Sequence, residues 1–421
     1  MQLMKRSFNK LVLMAVAAAI TAAGAFSIMA QDDAEKTALY TKFTECYKAK
    51  DEAGMTACVA TGEAYMQKYG APPDQYNEFV SKQLVNIKAR IALIPLQKAY
   101  KQLADGLAAK NWKMASDGGK AVLAIQPDNV DVMIILATIA YDRSFATPPD
   151  LAFRADGINY AKTAAQKIES GTVKSETWGG TGSLSYKNKE NAQAWMNFTA
   201  ARLIADTNKD ATQNKTLLTD AAPYFYKSLQ TTSDVPKDVA LAGIGRYYLE
   251  ELNAQVDAYE RTCKNLTEDT DDCKRIRGTQ LAYAERGADA YSRAYKSVAD
   301  DPKLKPFKDN LLKKATEFYN IRFKKTDGVN DFVAKAMTQP LVNPTTPITP
   351  VAEEPAPVTT TSTTPGTGTA PNGTKPATLP APNSTKPPTT PAKPATTTPT
   401  KPAGSKGTVA KKTTVKKKAG R

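Results

Sequence analysis

The feature that most constrains this chain is the spacing of bulky and small side chains between Asn191 and Leu252. Trp195 and Phe198 stand at i, i+3; Ala221, Phe225 and Ser228 at i, i+4, i+7; and Leu241, Ile244, Gly245 and Tyr248 repeat the first pattern. Each set covers one face of a helix, because residues three and four apart are neighbours on a helical surface. Thr199 and Gly245 place small side chains where a partner helix comes close, with bulky ones flanking them. Antiparallel helices that interlock side chain against side chain have this pattern. The expected fold is all-α, built from stacked antiparallel helix hairpins.

Charge is distributed very unevenly along the 421 residues. The formal net charge is +15, which taken alone suggests a binder of nucleic acid or of a membrane surface. Residues 1–30 carry Lys5, Arg6 and Lys10 with no acid, and 340–421 carry ten lysines and Arg421 against Glu353 and Glu354. The ends therefore hold most of the surplus, and the middle of the chain is close to neutral. The chain has no histidine, which removes Ser-His-Asp and Cys-His nucleophile systems, imidazole bases and histidine-containing zinc sites.

Met1–Ala30 reads as a secretory leader: basic residues, an apolar run from Leu11 to Phe26, and a short exit before Gln31-Asp32-Asp33. Cleavage is expected after Ala30, with Ala23-Gly24-Ala25 the weaker site. No later stretch is long and apolar enough to span a bilayer. The expected location is exported, periplasmic or extracellular, in a bacterium. In such an oxidising compartment paired cysteines are read as disulfides. Four cysteines allow three connectivities, and their spacing favours the two local ones, Cys46 with Cys58 and Cys263 with Cys273. The first staples the opening hairpin, the second closes the acidic loop between Cys263 and Cys273, and each contributes about 3 kcal/mol by restricting the unfolded chain. The acidic run Glu268, Asp269, Asp271 and Asp272 lacks the spacing of a calcium loop and reads as a solvated turn.

Helix starts and stops are marked along the body. Asp74 follows Pro72-Pro73 as an expected N-cap, and the helix after it carries Phe79, Leu84, Ile87, Ile91 and Ile94 to Pro95, where a kink or restart is expected. Leu103 and Leu107, a turn at Lys110-Asn111, then Trp112, Ala115, Gly119 and Val122 make a hairpin that hands over to Met133, Leu136, Ala137 and Ala140. Ala290, Ala294, Ser297 and Pro302 give a second-helix pattern, and Phe307–Phe323 a final lysine-rich helix that caps the stack.

Over roughly 96–323 these patterns resemble the tetratricopeptide repeat, whose motif reads W-x-x-L-G-x-x-Y, then A-x-x-x-F and a closing Pro, with a period of 34 residues. Ala99 and Met133 show that period. Later spacings exceed it, so insertions are expected at Thr147–Asp150, Gly171–Lys189, Asp206–Asn214 and the second disulfide loop. The resemblance implies an α-α superhelix whose concave face is lined by the first helix of each pair. The residues beside the core positions there are Tyr100, Lys101, Thr138, Tyr141, Asn197 and Arg246. In the family such positions hold an extended peptide, so a protein or peptide partner in the groove is expected.

From Pro340 the composition changes to Pro, Thr, Ala and Lys, with seventeen of the 27 prolines, and no core can form to offset chain entropy. A disordered tail is expected, spanning about 50 Å as a flexible coil. Its tip, Lys411, Lys412, Lys416, Lys417 and Lys418, suits anionic envelope polymers, with salt-sensitive affinity. The expected organisation is leader 1–30, helical body 31–339 and tail 340–421. No catalytic, cofactor or metal constellation is legible: the stretch Ser175–Ser183 lacks phosphate-loop spacing and reads as an inserted loop, with Trp178 either an exposed anchor or folded back on the helices. The chain is read as a non-enzymatic binding or scaffold protein. The alternative is an envelope structural or polyanion-binding protein acting through the tail.

Overall fold

The computed structural model describes residues 32–180, 185–206 and 211–353. The expected leader and the lysine tip lie outside them. Twelve α-helices occur among the described residues, in the order α1 Asp32–Cys46, α2 Glu52–Tyr69, α3 Gln75–Ala108, α4 Trp112–Ile125, α5 Val130–Ser144, α6 Arg154–Glu169, α7 Lys189–Ala205, α8 Ala211–Ser228, α9 Lys237–Cys263, α10 Asp271–Ser297, α11 Lys305–Phe323 and α12 Val329–Lys335. The fold is all-α, and short turns between most of these elements pair them as hairpins.

Side-chain caps fix where several helices begin. Asp51 accepts from the Gly54 amide, Asp74 from Tyr76 and Asn77, Asn111 from Met114, Asn129 from Val132, Asn188 from Asn191 and Thr270 from Cys273. Each satisfies a donor that the first helical turn leaves without a partner. Pro95 neither stops nor restarts α3, which runs unbroken for 34 residues. The ring is exposed, so water can satisfy the carbonyl left without its helical donor, and one helix spans two cores.

The first half of α3 packs with α1 and α2 around Phe43, Tyr65, Val80, Leu84 and Ile87. Its second half packs with α4 and α5 around Ala99, Leu103, Val122 and Leu136. The next cores join α5, α6 and α7 through Ile134, Ala161, Ile168 and Met196, then α7, α8 and α9 through Phe198, Phe225, Ile244 and Tyr248, then α9, α10 and α11 through Leu252, Tyr291 and Phe318. Bulk on one helix meets a small residue on the next. A Cβ at Gly245 would stand 2.7 Å from the Tyr291 ring, so glycine is what lets α9 and α10 close.

Both local cysteine pairs are bonded, with Cα–Cα distances of 5.4 Å for Cys46–Cys58 and 5.8 Å for Cys263–Cys273. The first ties α1 to α2 and the second ties the end of α9 to the start of α10. Part of the excess over a 34-residue period is carried by loops at 145–153 and 264–270 and by the described stretches 170–180 and 185–188, and part by long helices, since α9 and α10 have 27 residues each.

Two expectations about the C-terminal end change. Phe307–Phe323 is not the last helix: α12, a 3-10 turn at Ala336–Thr338 and a non-helical segment follow. Residues 340–353, which the composition assigns to the tail, also lie against the helical body. A proline-rich segment needs no core of its own when a finished helix offers the apolar surface.

Phe198 is fully buried at the centre of the fourth core. Phe198→Ala should destabilise the protein by about 3–5 kcal/mol, read as a lowered urea midpoint. Val85→Ala, at a position 66% exposed, should change stability by no more than about 0.5 kcal/mol.

Candidate functional site

The six residues expected to line one groove are not brought together. The Tyr100 hydroxyl donates to Gln126 Oε1 (2.9 Å) and accepts from Asn129 Nδ2 (2.6 Å), tying the α4–α5 turn. Thr138 donates to the Ile134 carbonyl at 2.8 Å, and Asn197, 1% exposed, donates to the Gln193 carbonyl at 2.9 Å. Tyr141 is packed among the rings of Phe145, Trp195 and Phe198. Lys101 and Arg246 face solvent, Lys101 pairing with Asp105 and Arg246 lying 3.7 Å from Asp206. They stand on α3 and α9, with five helices between them in the chain. Four of the six are therefore interhelix residues rather than groove lining: residues adjacent on a helix differ by about 100° in direction, and the spacing alone does not separate a core edge from an open face.

The corresponding face of α5 and α7 is filled by the chain itself. The stretch at 170–180 is anchored on Asp131 Oδ1, which accepts from Ser175 Oγ (2.6 Å) and the Gly179 amide (2.7 Å). Tyr186 stacks on Trp195 with ring centroids 6.0 Å apart, and its hydroxyl lies 3.2 Å from that of Thr138. Burial pushes the Tyr186 hydroxyl up from its ordinary value. Trp178 folds back on the α5–α7 core. Asp234 accepts from Trp195 Nε1 (2.6 Å) and Asn191 Nδ2 (2.8 Å), with Lys187 at 3.4 Å.

A second surface carries a segment in extended form. Residues 340–353 run antiparallel to α10: Arg293 Nη2 donates to the Pro340 carbonyl (3.5 Å), and Arg286 donates to the carbonyls of Thr346 (2.9 Å) and Pro347 (3.3 Å). The Val351 amide then donates to the Gly278 carbonyl (3.1 Å), and Glu353 pairs with Arg277 at 3.6 Å. A cleft of about 370 Å³ between α10 and this segment has Tyr248, Ala282 and Phe332 on its helical side. Burial pushes the Tyr248 hydroxyl up to about 12.

The acids near this surface are already engaged. Arg322 pairs with Glu285 at 2.9 Å and Arg293 with Asp289 at 2.7 Å. Burial raises the Asp289 carboxyl above its ordinary value, against the pull of Arg293. In the acidic loop Asp269 pairs with Arg277, Asp271 with Lys274 and Asp272 with Arg275, and no grouping of carboxylates able to hold a metal occurs among the described residues. Arg277, Gly278, Arg286 and Arg293 were not legible as a set. The available signal was Gly278 inside a helical pattern, a mark of close backbone approach.

Burial alone would push the Asp234 carboxyl up. Hydrogen bonds from Trp195, Asn191 and Lys187 outweigh it and hold the group below the ordinary carboxylate range. A depressed carboxyl stabilises the fold above its unfolded-state value and loses that contribution as pH falls through the folded one. Asp234→Asn should therefore lower stability at pH 7 by about 1 kcal/mol after allowing for solvent screening. The difference from wild type should shrink progressively as pH falls below the ordinary carboxylate range, where the group is protonated in both folded and unfolded chain, as thermal midpoints followed from pH 7 into acid will show. No family model, curated protein or solved structure matches this chain, so its own surfaces carry the functional argument.

Proposed function

We propose that this chain is an exported, non-enzymatic binding or scaffold protein whose helix stack holds an extended segment of a protein partner. The observation that carries the reading is the 340–353 segment on α10, held by contacts to its backbone from Arg286, Arg293 and the Gly278 carbonyl. A surface that binds backbone groups is suited to extended chain in general. The surface lies on α10, which carries the second-helix pattern, rather than on the first-helix face that the repeat resemblance implied. Two disulfides agree with an oxidising compartment. Among the described residues no helix is long and apolar enough to cross a membrane.

A second reading, in which the tail binds anionic envelope polymers and the helices only carry it, is favoured by the concentration of lysine beyond residue 353. Counterion release would drive such binding and make it fall steeply with salt.

Crosslinked pull-downs from envelope fractions with the full chain and with a form ending at Glu353 separate the two. The groove reading expects a discrete protein partner captured by both forms and lost with Arg286→Glu. Capture that disappears with the tail, and that weakens about a hundredfold or more between 50 and 200 mM salt, would assign the binding to the lysine tip instead.

A further inference from the structure

We propose that the face of α10 is a recognition groove for extended, proline-punctuated segments bearing a carboxylate, and that residues 340–353 occupy it as a built-in competitor displaced by such a segment of a partner protein. The inference rests on the binding-protein reading above and supplies the chemistry of the partner.

The pattern of exposure along the segment shows what is read. Leu341, Pro344, Ile348 and Val351 turn toward the helices, while Val342, Thr345, Thr346, Pro347, Thr349 and Pro350 are exposed. The inward positions are three apart on either side of a turn at 343–346, closed by the Thr346 amide on the Asn343 carbonyl (2.9 Å), which shifts the phase by one. A three-residue repeat is that of an extended, polyproline-like chain. Leu341 reaches the cores of the last layers. The polar contacts go to three carbonyls, one amide and the Glu353 carboxylate. Side-chain identity enters at the spaced apolar positions and at the acid, so a foreign segment that repeats those features meets the same donors.

The helix is shaped for this occupant. A Cβ at Gly278 would lie 2.8 Å from the Val351 carbonyl oxygen and 3.0 Å from Pro350 Cβ, and the three nearest atoms to it all belong to the segment. Glycine inside a helix costs about 1 kcal/mol relative to alanine, and here the vacant volume is used by the segment alone.

The occupant is also exchangeable by its chemistry. The Arg286 contacts are exposed, Arg277 divides itself between Glu353 and Asp269, and Val342, Thr345, Thr346, Pro347, Thr349 and Pro350 are all exposed to solvent. Exposed contacts of this kind are individually weak, and such segments open well before the fold does. What holds the segment is its tether: a link at Gln339 to the end of the last helical turn keeps its local concentration at about the millimolar level or above. Only a ligand that matches the groove displaces it.

The test uses the full chain and a fluorescein-labelled synthetic peptide with the sequence of residues 340–353, followed by anisotropy. Val351→Asp with Glu353→Lys weakens the built-in occupant and leaves every groove residue in place. The peptide should bind this double variant at least about tenfold more tightly than wild type. Adding Gly278→Val should abolish that binding with unchanged helical circular dichroism, since the new side chain meets only the segment's space. A peptide carrying glutamine for its final glutamate should bind more weakly than the parent. Equal affinity for wild type and the double variant, no binding to either, or binding indifferent to Gly278→Val would overturn the proposal. So would a concentration-dependent dimer of the wild-type chain that the peptide dissolves, which would assign the groove to a second copy. Because the peptide reads the groove directly, its failure leaves partner capture through another surface standing. Peptide binding without any captured partner sinks only the broader reading.

Discussion

Burial shared between successive layers is the constraint on which the structure depends. Helix α7 contributes Met196 to one core and Phe198 to the next, and α9 contributes Ile244 to one and Leu252 to the next. A hairpin in such a stack has no complete core of its own, and each layer completes its neighbour. Rings therefore face small residues along the whole length, as Tyr291 faces Gly245. The same logic makes the two ends the weak points. At the N-terminal end, Cys46–Cys58 ties a hairpin whose core is shared only with the first half of α3. At the other end α12 and the 340–353 segment cover α10 and α11.

The helical hairpins, the disulfide pairing and several helix starts were legible because each rests on local chemistry. Asp74 and Asn111 stand just ahead of apolar periodic runs, and a side-chain oxygen there has a first-turn amide to bind. The location of the open surface was not legible. Thr138 and Asn197 are polar, which suggests a wet face, yet both satisfy themselves on a carbonyl four residues back and sit inside the stack. The face that resembled a peptide groove is filled by Tyr186 and Trp178 from an insertion. Spacing fixed the insertion's limits within a residue or two and said nothing of where it lands. The docking of residues 340–353 was not legible for a related reason: composition reports whether a segment can fold alone, not whether it can lie on something already folded.

The occupied α10 surface shows how a helix can hold extended chain without pairing strands. Parallel or antiparallel ladders pair the inward-facing backbone groups of an added segment, whereas a helix has spent nearly all of its own. Here the deficit is met by guanidinium groups, whose planar set of five donors spans neighbouring carbonyls, as Arg286 does with Thr346 and Pro347. Proline in the bound segment complements this arrangement, because each one removes an amide donor that the helix surface has few acceptors to satisfy. The one amide that is used, on Val351, reaches the helix where Gly278 leaves a carbonyl approachable.

The two kinds of cation are thus divided by what they can do. Arginine is placed on α10, where directed donors read a backbone, and the nearby acids are paired in turn, Glu285 with Arg322 and Asp289 with Arg293, which also reaches the Pro340 carbonyl. Lysine, a compact and strongly hydrated charge on a flexible stem, makes up all but one of the cations from residue 340 onward. A guanidinium in the tail would gain little from its geometry without a fixed scaffold behind it, and an ammonium on α10 would lack the fork that spans two carbonyls. Reading a chain and attracting a polyanion place opposite demands on rigidity, and this sequence assigns them to different stretches.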